Sequence, residues 1–521
     1  MLQQLQQKFG ALIRSIEEGT GETNVRLARS DLRPVADFLR TSYGARLVAV
    51  FAEDRLEAEG VFYNYYVFEQ QPAPEFLILQ APIPSEDPRF PSLAEDLPSV
   101  NWQEREIQDW FGLEAVGHPN PRRVALHDNW PDVHPLRKSF PIGEVLPPFA
   151  GEQHVYRPTL GEGVFQIPVG PVHAGIIEPG HFNFAVAGEP ILYLQLRMFY
   201  THKGTEKRFE HLPIHRAVFL AESISGDSSF SHAVAFCQAV ERAAGIEVPR
   251  RAAQMRTVLL ELERIYNHTA DIGAIATDVG FVVANMHAAR LREMVVARNE
   301  ALSGSRLLRG MACVGGVRRD WDADAWRETQ RVLGVFEKQF DSLVALIGSS
   351  DSTRDRLERT GTLRPEKARA LGVVGVGGRA SGVDRDVRRD HPYAAYADLP
   401  LRVPVYEAGD VWHRMQVRID EVRESLRLIS AAAGPLPPGP PCAPRQPIPA
   451  DRCALSAVEG WRGEIIHWIR TGPGETLERC KIKDPSLNNW PALVEAVEGN
   501  IIADFPVINK SFNLSYSGTD R

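Results

Sequence analysis

The chain has 521 residues, more than one hydrophobic core usually supports, so its length predicts at least two domains. Hydrophobic residues make up 44% and charged residues 24%, which is typical of folded globular proteins. The net charge of -8, and the lack of basic runs interleaved with aromatic residues, argue against nucleic acid as a partner.

The sequence carries no signal for export or membrane insertion. The N-terminus, MLQQLQQKFGALIRSIEEG, lacks a charged segment followed by an apolar one. No window approaches the roughly 18 uninterrupted apolar residues of a membrane span. The five cysteines are an odd number without C-x-x-C spacing, which favours ordinary reduced thiols. We therefore expect a soluble, cytoplasmic chain.

The first part of the chain combines one helical pattern with several strand patterns. An amphipathic stretch over 2–16 predicts a helix. Apolar or alternating runs predict strands over 47–51, 61–68 and 76–79. These patterns indicate a small α/β module.

A polar, proline-rich stretch at 132–148 marks the end of this module. We therefore expect a first domain over 1–145, a linker over 146–165 and a second domain over 166–521. Because few contacts usually cross such a boundary, we also expect separate cores and a mobile connection.

The second region begins with strand patterns and then becomes helical. Strands are predicted over 164–170, 181–186 and 191–198. Apolar residues at spacings of three and four predict helices over 231–244, 252–270, 288–303, 325–347 and 411–433. Helices of this length imply a bundle, and the proline-rich stretch 434–450 is a connector. The predicted fold class is α+β, with a long-helix bundle, small β elements and a β-like C-terminal segment.

Two short patterns resemble binding motifs but have simpler interpretations. Gly375, Gly377 and Ala380 match G-x-G-x-x-A, yet more glycines follow and no long helical pattern comes next, which argues against nucleotide binding. His211 and His215 have the spacing of a helical zinc pair, but a proline lies between them and no glutamate follows His211. A helix start is the better interpretation.

A motif near residue 110 resembles a known family. The stretch 104–112 reads EREIQDWFG and is followed by Gly117-His-Pro, Arg122-Arg123 and HPLRK at 134–138. These motifs resemble the 30-kDa-type peripheral subunit of respiratory complex I. Chemically, a helix backed by Trp110 and Phe111 favours a rigid docking surface over a reaction centre.

The rest of the chain resembles a second family. Its motifs include GPVH at 170–173, EPGHF at 178–182, THKGTEK at 201–207, ELER at 261–264, RASG at 379–382 and GWRGE at 460–464. They resemble the large subunits of energy-converting NiFe hydrogenases and the 49-kDa-type subunit of complex I. The two resemblances cover nearly the whole chain, in the fused order of formate-hydrogenlyase-type large subunits.

The chain departs from the hydrogenase pattern at the metal ligands. Where those relatives have two C-x-x-C pairs that hold nickel and iron, this chain has Ser225, Ser228, Ser515 and Gly518. Nickel sites of this kind need soft thiolate sulfur, which hydroxyls and glycine cannot supply. We therefore expect no metal ligand and no bound nickel. The sequence also stops at Arg521 without the C-terminal extension common in active relatives, which supports the same expectation.

The resemblance to complex I suggests further site residues. His181 aligns with a histidine that would donate a proton to a quinone, and Glu178 with a proton-conducting glutamate, although Glu178 could instead cap a turn. Tyr516 could line the same cavity or be an ordinary core tyrosine. The remaining candidates for the cavity lining are Arg379, Asp386 and Arg388. They could equally form a buried ion-pair network, which we favour.

These resemblances predict a peripheral-arm core subunit of a membrane-associated, complex I-like oxidoreductase. No cofactor is expected on this chain alone; quinone is a possible acceptor, an iron–sulfur cluster is expected on a small partner subunit, and NAD could act in the whole complex. Other expected partners are peripheral-arm subunits and antiporter-like membrane subunits that translocate ions, at the cytoplasmic face of the membrane. Two alternatives stay open: an active NiFe hydrogenase subunit and a non-catalytic assembly scaffold. The electron donor is left open.

Overall fold

The computed structural model of the chain describes residues 1–70, 75–147, 149–151, 153–174, 177–432 and 436–521. It is 44% helical and 20% strand, which confirms the α+β class. Positions 148 and 152 of the predicted linker lie outside the described residues. So do the last residue of the predicted helix 411–433 and the first two residues of the predicted connector.

The N-terminal region is built on a five-stranded sheet. Its strands are, in spatial order, Ile13–Gly19, Glu22–Leu27, Phe76–Pro84, Val61–Glu69 and Arg46–Arg55. Only the second and third run parallel; the other neighbours are antiparallel. The three predicted strands are confirmed and are longer than predicted. Both faces of the last three strands are largely buried, which explains their nearly continuous apolar sequences.

The helix predicted over 2–16 is wrong beyond its first two turns. The structure has the helix Leu2–Phe9, a single 3-10 turn and then the strand Ile13–Gly19. That strand pairs with Glu22–Leu27 through a tight turn at Gly21, whose φ is +76°. Cross-strand pairing with the sheet therefore overrides the weak helical pattern. The rest of this region contains the helices Leu32–Tyr43, Leu56–Glu59 and Asn101–Phe111, and the short paired strands Arg89–Pro91 and Glu114–Val116.

Long helices dominate the second region, as predicted. They are Ser229–Ala244, Arg250–Asp278, Val282–Ser303, Ala323–Gly348 and Val411–Ala431. Shorter helices are Thr205–Phe209, Ile214–Glu222, Asp351–Leu357, Pro365–Ala370, Gly375–Arg379, Val387–Asp390, Pro485–Val497, Phe505–Phe512 and Tyr516–Asp520. The central helix Arg250–Asp278 is buried along most of its length, so it forms the axis of the bundle. No helix among the described residues is long and apolar enough to cross a membrane.

Two antiparallel sheets and a small hairpin complete the second region. The first sheet contains Val164–Val169, His181–Ala187 and Ile191–Arg197, close to the predicted bounds. The second contains Cys453–Gly460, Gly463–Gly472 and Thr476–Lys483, and the hairpin contains Ala312–Cys313 and Gly316–Val317. The last residues are helical, so the expectation of a β-like segment returning to the site is wrong there.

The two regions share one core, contrary to the expectation of separate cores. Most of their buried apolar side chains belong to one cluster that contains residues of both regions, while Val376, Ala380 and Val417 form a small separate cluster. Phe51 and Tyr65 of the first sheet pack against Trp468 of the last sheet, with ring centres 5.1 and 5.0 Å apart. Arg470 bonds to Glu53 at 2.6 and 2.9 Å across the same contact. Local sequence alone did not show that the last sheet packs against the first sheet through Trp468.

Both motif-like patterns have structural explanations. Gly375 begins a five-residue helix that follows another short helix, not a strand, so the dinucleotide-binding context is missing. Its backbone passes against Arg462, whose carbonyl oxygen would lie 1.9 Å from a Cβ at Gly375. The helix Ile214–Glu222 begins directly after Pro213, which confirms the predicted helix start.

Candidate functional site

Two loops that are far apart in the sequence meet at the candidate site. One contains Ser225 and Ser228, and the other contains Ser515 and Gly518. The hydroxyl oxygens of Ser225 and Ser515 share a hydrogen bond of 2.8 Å. The Ser515 hydroxyl also accepts the Gly518 N–H at 2.9 Å and thereby caps the last helix. The positions that sequence comparison equated with metal ligands are therefore joined through hydrogen bonds.

Arg462 attaches the first loop to the C-terminal sheet. Its guanidinium donates to both carboxylate oxygens of Asp227, at 2.6 and 2.7 Å, and lies 3.4 Å from the Ser228 hydroxyl. The same guanidinium packs 3.9 Å above the ring of Trp461, whose indole N–H donates to the Asp227 carbonyl. Bidentate arginine–carboxylate pairs have a fixed geometry, so this contact holds the loop in place.

Asp484 fills the space beside Gly518. A Cβ at position 518 would lie only 2.6 Å from the Asp484 Oδ2. That oxygen lies 3.2 Å from Nε2 of His232, and Nδ1 of His232 lies 3.1 Å from Nε2 of His467. All three polar side chains are buried. They form a continuous chain of contacts between polar groups that begins beside Gly518, the position that the resemblance equates with a metal ligand.

The electrostatics of this chain favour a charged carboxylate and a neutral imidazole. Burial alone would raise the pKa of Asp484, but the hydrogen bond from His232 and the nearby Arg462 keep the pKa of this carboxyl below its usual value. Burial, together with the adjacent His232, lowers the pKa of His467 well below the usual value for histidine. His467 is therefore neutral at physiological pH and can donate one hydrogen bond and accept another.

The donor set does not fit a nickel ion. The hydroxyls of Ser225 and Ser515 already bond to each other, and Asp484 occupies the space where a side chain at 518 would lie. Hydroxyl oxygen is hard, whereas nickel sites of the hydrogenase type use thiolate sulfur. In the part of the chain that the structure describes, no group of three or more His, Cys, Asp or Glu side chains could hold a metal ion.

Glu178 and Tyr516 lie at the N-terminal end of the last helix. The Glu178 carboxylate accepts the Ser517 N–H at 3.0 Å, the geometry expected of a cap on this helix. The Tyr516 ring packs edge-on against Trp490, and a Cβ at Gly180 would lie 2.7 Å from it. Burial raises the pKa of Tyr516 to about 12. Tyr516 was expected on a strand, but it lies on the helix Tyr516–Asp520 because Ser515 caps a single turn there.

His181 contacts the predicted linker, 146–165. It begins the strand His181–Ala187 and pairs across the sheet with Arg197. Its ring lies beside that of Tyr156, with ring centres 5.3 Å apart. Burial lowers the pKa of His181, and the positive charge of Arg197 adds to this effect. The loop 178–180 directly precedes His181, and the Glu178 carboxylate of this loop contacts the last helix.

Arg379, Asp386 and Arg388 form a buried ion-pair network. Arg379 pairs with Glu421 at 2.7 Å and with Glu459 at 2.8 Å. Arg388 pairs with Asp386 at 2.7 Å. All of these side chains are nearly inaccessible to solvent. The geometry matches the ion-pair interpretation; a role in lining a cofactor cavity stays a prediction.

The EREIQDWFG motif docks within the chain itself. Glu106 pairs with Lys481 at 3.1 Å and also bonds to Arg521, which directly follows the C-terminal helix. Arg521 pairs with Glu206 at 3.0 Å. The Trp110 ring stacks on His202 at 4.8 Å. The motif therefore binds the first region to the C-terminal end of the second, in agreement with a docking role.

Sequence patterns did not identify the polar residues that surround the serines. Arg462, His467 and Asp484 lie on or just after the last sheet, far from both loops in the sequence. Asp227 lies inside the Ser225-x-x-Ser228 motif, so its position in the sequence could have marked it as a site residue. Arg462 was visible inside the GWRGE motif at 460–464, whereas His467 and Asp484 could have been found only from contacts between distant parts of the chain.

Family models match both regions of the chain. The model described as "Respiratory-chain NADH dehydrogenase, 30 Kd subunit" matches residues 25–145. The model described as "Respiratory-chain NADH dehydrogenase, 49 Kd subunit" matches residues 278–452 and 444–521.

Whole proteins with the same fused arrangement are similar over nearly the full length. "Formate hydrogenlyase subunit 5" of Escherichia coli (strain K12) is 34% identical over 94% of this chain and 87% of that protein. The chain belongs to the family of fused formate hydrogenlyase and complex I large subunits. "Hydrogenase-4 component G" of the same organism is 33% identical over 100% of this chain and 92% of that protein.

Two further relatives belong to respiratory assemblies. An NADH-quinone oxidoreductase subunit of the fused C/D type, from Bacteroides fragilis, is 28% identical over 84% of this chain and 86% of that protein. A chain in the "Structure of the membrane-bound sulfane sulfur reductase (MBS), an archaeal respiratory membrane complex" superposes with a TM-score of 0.65 and 26% identity. The match covers 70% of this chain and 100% of that chain. The family member described here is thus a complex I-like, hydrogenase-related subunit of a respiratory membrane complex, whose relatives work with other subunits.

Proposed function

We propose that this chain is a peripheral-arm core subunit in which electrons pass from an iron–sulfur cluster on a partner subunit to quinone or another proton-accepting compound, without a NiFe centre. The observation that carries this proposal is the site itself, where a serine pair is backed by Asp484, His232 and His467. The hydroxyls and imidazoles of this site can donate hydrogen bonds to a reduced acceptor, but they offer no thiolate to nickel.

The proposal extends to the rest of the assembly. Its partners are a small iron–sulfur subunit, other peripheral-arm subunits and antiporter-like membrane subunits that couple the reaction to ion translocation. The chain would lie at the cytoplasmic face of the membrane, held there by these partners, and NAD would act on another subunit. We retain the domain division 1–145, 146–165 and 166–521, which is supported by the first family match ending at residue 145.

The proposal also assigns roles to individual residues. His181 and Glu178 would supply protons, and Tyr516, Arg379, Asp386 and Arg388 would lie around the acceptor. For His181 the support is its place at the start of the strand that follows the loop 178–180, because the Glu178 carboxylate of this loop contacts the last helix. For Glu178 the support is its direct contact with the helix that carries Tyr516.

The decisive experiment measures two quantities on the purified native complex. Elemental analysis should find no stoichiometric nickel, and reduction of a soluble quinone should accompany oxidation of the electron donor. About one nickel per chain would instead establish an active hydrogenase. An intact, nickel-free complex that transfers no electrons to quinone or to any other acceptor would establish the scaffold alternative and refute the proposal.

A further inference from the structure

Two cysteines outside the candidate site have their sulfurs in contact. The Sγ atoms of Cys313 and Cys442 lie 3.7 Å apart, although the residues are separated by 129 positions in the sequence. Both side chains are partly exposed to solvent. Cys313 lies in the hairpin 312–317, and Cys442 lies in the proline-rich connector that precedes the last sheet. Among the described residues, the other three cysteines have no second thiol within hydrogen-bonding distance.

Gly316 is the reason that the two thiols meet. It pairs with Cys313 inside the hairpin and with Cys442 of the connector on its other side. A Cβ at Gly316 would lie 2.2 Å from the Pro441 carbonyl oxygen and 2.8 Å from the Cα of Cys442. Any other residue would push the connector away. The two thiols therefore approach each other across a position that has no side chain.

The hairpin is attached to the helices Ser229–Ala244 and Arg250–Asp278, and these attachments fix the position of Cys313. Arg256 donates to the carbonyl oxygens of Cys313, at 2.7 Å, and of Gly316, at 3.1 Å. The same guanidinium pairs with Glu241 at 2.6 Å, and Glu241 accepts the Gly315 N–H. These side chains are buried, and buried charge-assisted hydrogen bonds are among the strongest polar contacts in proteins.

The connector is attached to the hairpin by backbone bonds. The Val317 N–H donates to Pro441 and the Ala443 N–H donates to Gly315, both at 2.9 Å. The Cys442 thiol lies 3.5 Å from the Val314 carbonyl oxygen. Because bonds on both sides of Cys442 fix its backbone, the sulfur has to move only about 1–2 Å, shared with Cys313, to reach the bonding distance of roughly 2 Å.

We propose that Cys313 and Cys442 are a dithiol modification site that low-molecular-weight disulfides oxidise to an intramolecular disulfide. In the first step the Cys442 thiolate attacks one sulfur of the oxidant, breaks its S–S bond and releases one thiolate. In the second step the Cys313 thiolate attacks the Cys442 sulfur of this mixed disulfide and releases the second thiol. Two electrons pass from the protein to the oxidant, and two protons leave with them.

The order of the steps follows from the surroundings of the two thiols. Burial and the adjacent Cys442 raise the pKa of Cys313 to about 12, so Cys313 is a poor first nucleophile and takes the second step. The disulfide would join the hairpin to the connector and link two residues that are 129 positions apart in the sequence. Because the connector leads directly into the strand Cys453–Gly460, oxidation would bind the last sheet covalently to the helical bundle.

The test treats the folded full-length chain with oxidised glutathione and measures its intact mass before and after reduction. We expect a loss of about 2 Da, the mass of two hydrogen atoms, and non-reducing digestion should yield one linked peptide pair that contains Cys313 and Cys442. Cys453→Ser is the matched control and should show the same loss. Cys442→Ser and Cys313→Ser should not form the linked pair.

Three outcomes would overturn the proposal. The first is a folded wild-type chain in which both thiols still react with an alkylating agent after treatment. The second is stable addition of one glutathione to each cysteine, without closure. The third is a linked pair that involves any other cysteine. If either serine variant fails to fold, the peptide map of the wild-type chain and of Cys453→Ser decides the question.

Discussion

The buried ion-pair network supports a prediction that compares two glutamates on the same arginine. The network holds more acidic groups than guanidiniums. Its members are Arg264, Arg379 and Arg388 on one side and Glu261, Asp386, Glu421 and Glu459 on the other. Glu421 and Glu459 both contact Arg379, yet the pKa of Glu421 is lowered and the pKa of Glu459 is raised.

The opposite shifts have separate physical causes. Burial opposes ionisation of Glu421, but Arg379 and the hydrogen bond from His268 keep its pKa well below the usual value. Burial and the negative charge of Asp386 raise the pKa of Glu459 to about 7. At neutral pH, Glu421 is therefore a full anion, whereas Glu459 is partly protonated.

Replacing each glutamate by glutamine should consequently have very different effects. Glu421→Gln leaves Arg379 and Arg264 short of one buried counter-charge, which typically costs about 3–5 kcal/mol of unfolding free energy. Glu459→Gln resembles the protonated side chain already present and keeps one acceptor oxygen, so we expect a loss of about 1 kcal/mol or less.

Urea unfolding of the full-length chain at pH 7, followed by tryptophan fluorescence, measures both values. The two variants serve as controls for each other, because both remove one carboxylate from the same buried cluster. A loss for Glu459→Gln that equals or exceeds the loss for Glu421→Gln would show that the assignment of charge in this network is wrong.

Three further predictions address the site, the pH dependence and the proposed proton donor. Ser515→Ala removes both the bond to Ser225 and the helix cap, so it should lower stability by about 1–2 kcal/mol and free the C-terminal helix for proteolysis; Ser517→Ala is the control, and equal effects would refute the role of Ser515. Burial raises the pKa of Glu22 to about 7, so its contribution to stability is complete below about pH 4.5 and is lost as the pH rises toward 7; Glu22→Gln should flatten this fall, and an unchanged slope would contradict it. His181→Ala should lower quinone-linked electron transfer of the assembled complex roughly 10²-fold with assembly intact, whereas reduced yield at normal turnover would assign His181 a structural role only.

Local sequence alone determined most of the secondary structure. The five long helices have apolar residues at helical spacing, and the strands at 47–51, 61–68 and 76–79 have the expected β pattern. Motif order also identified the fused family and pointed to Ser225, Ser228, Ser515 and Gly518 as one site. The predictions of secondary structure and of the family succeeded because periodicity and short motifs are properties of neighbouring residues.

Only the tertiary structure decided what surrounds that site and how the regions join. The bond between Ser225 and Ser515 spans 290 residues, and the contact between His232 and Asp484 spans 252. The core that the two regions share and the bond between Glu106 and Arg521 likewise join segments that are far apart in the sequence. The helix prediction for 2–16 was wrong beyond residue 9 for the same reason. Pairing of the strand Ile13–Gly19 with the sheet outweighed the local preference of these residues for helix. Contacts between distant segments depend on how whole elements pack, and no local pattern encodes them.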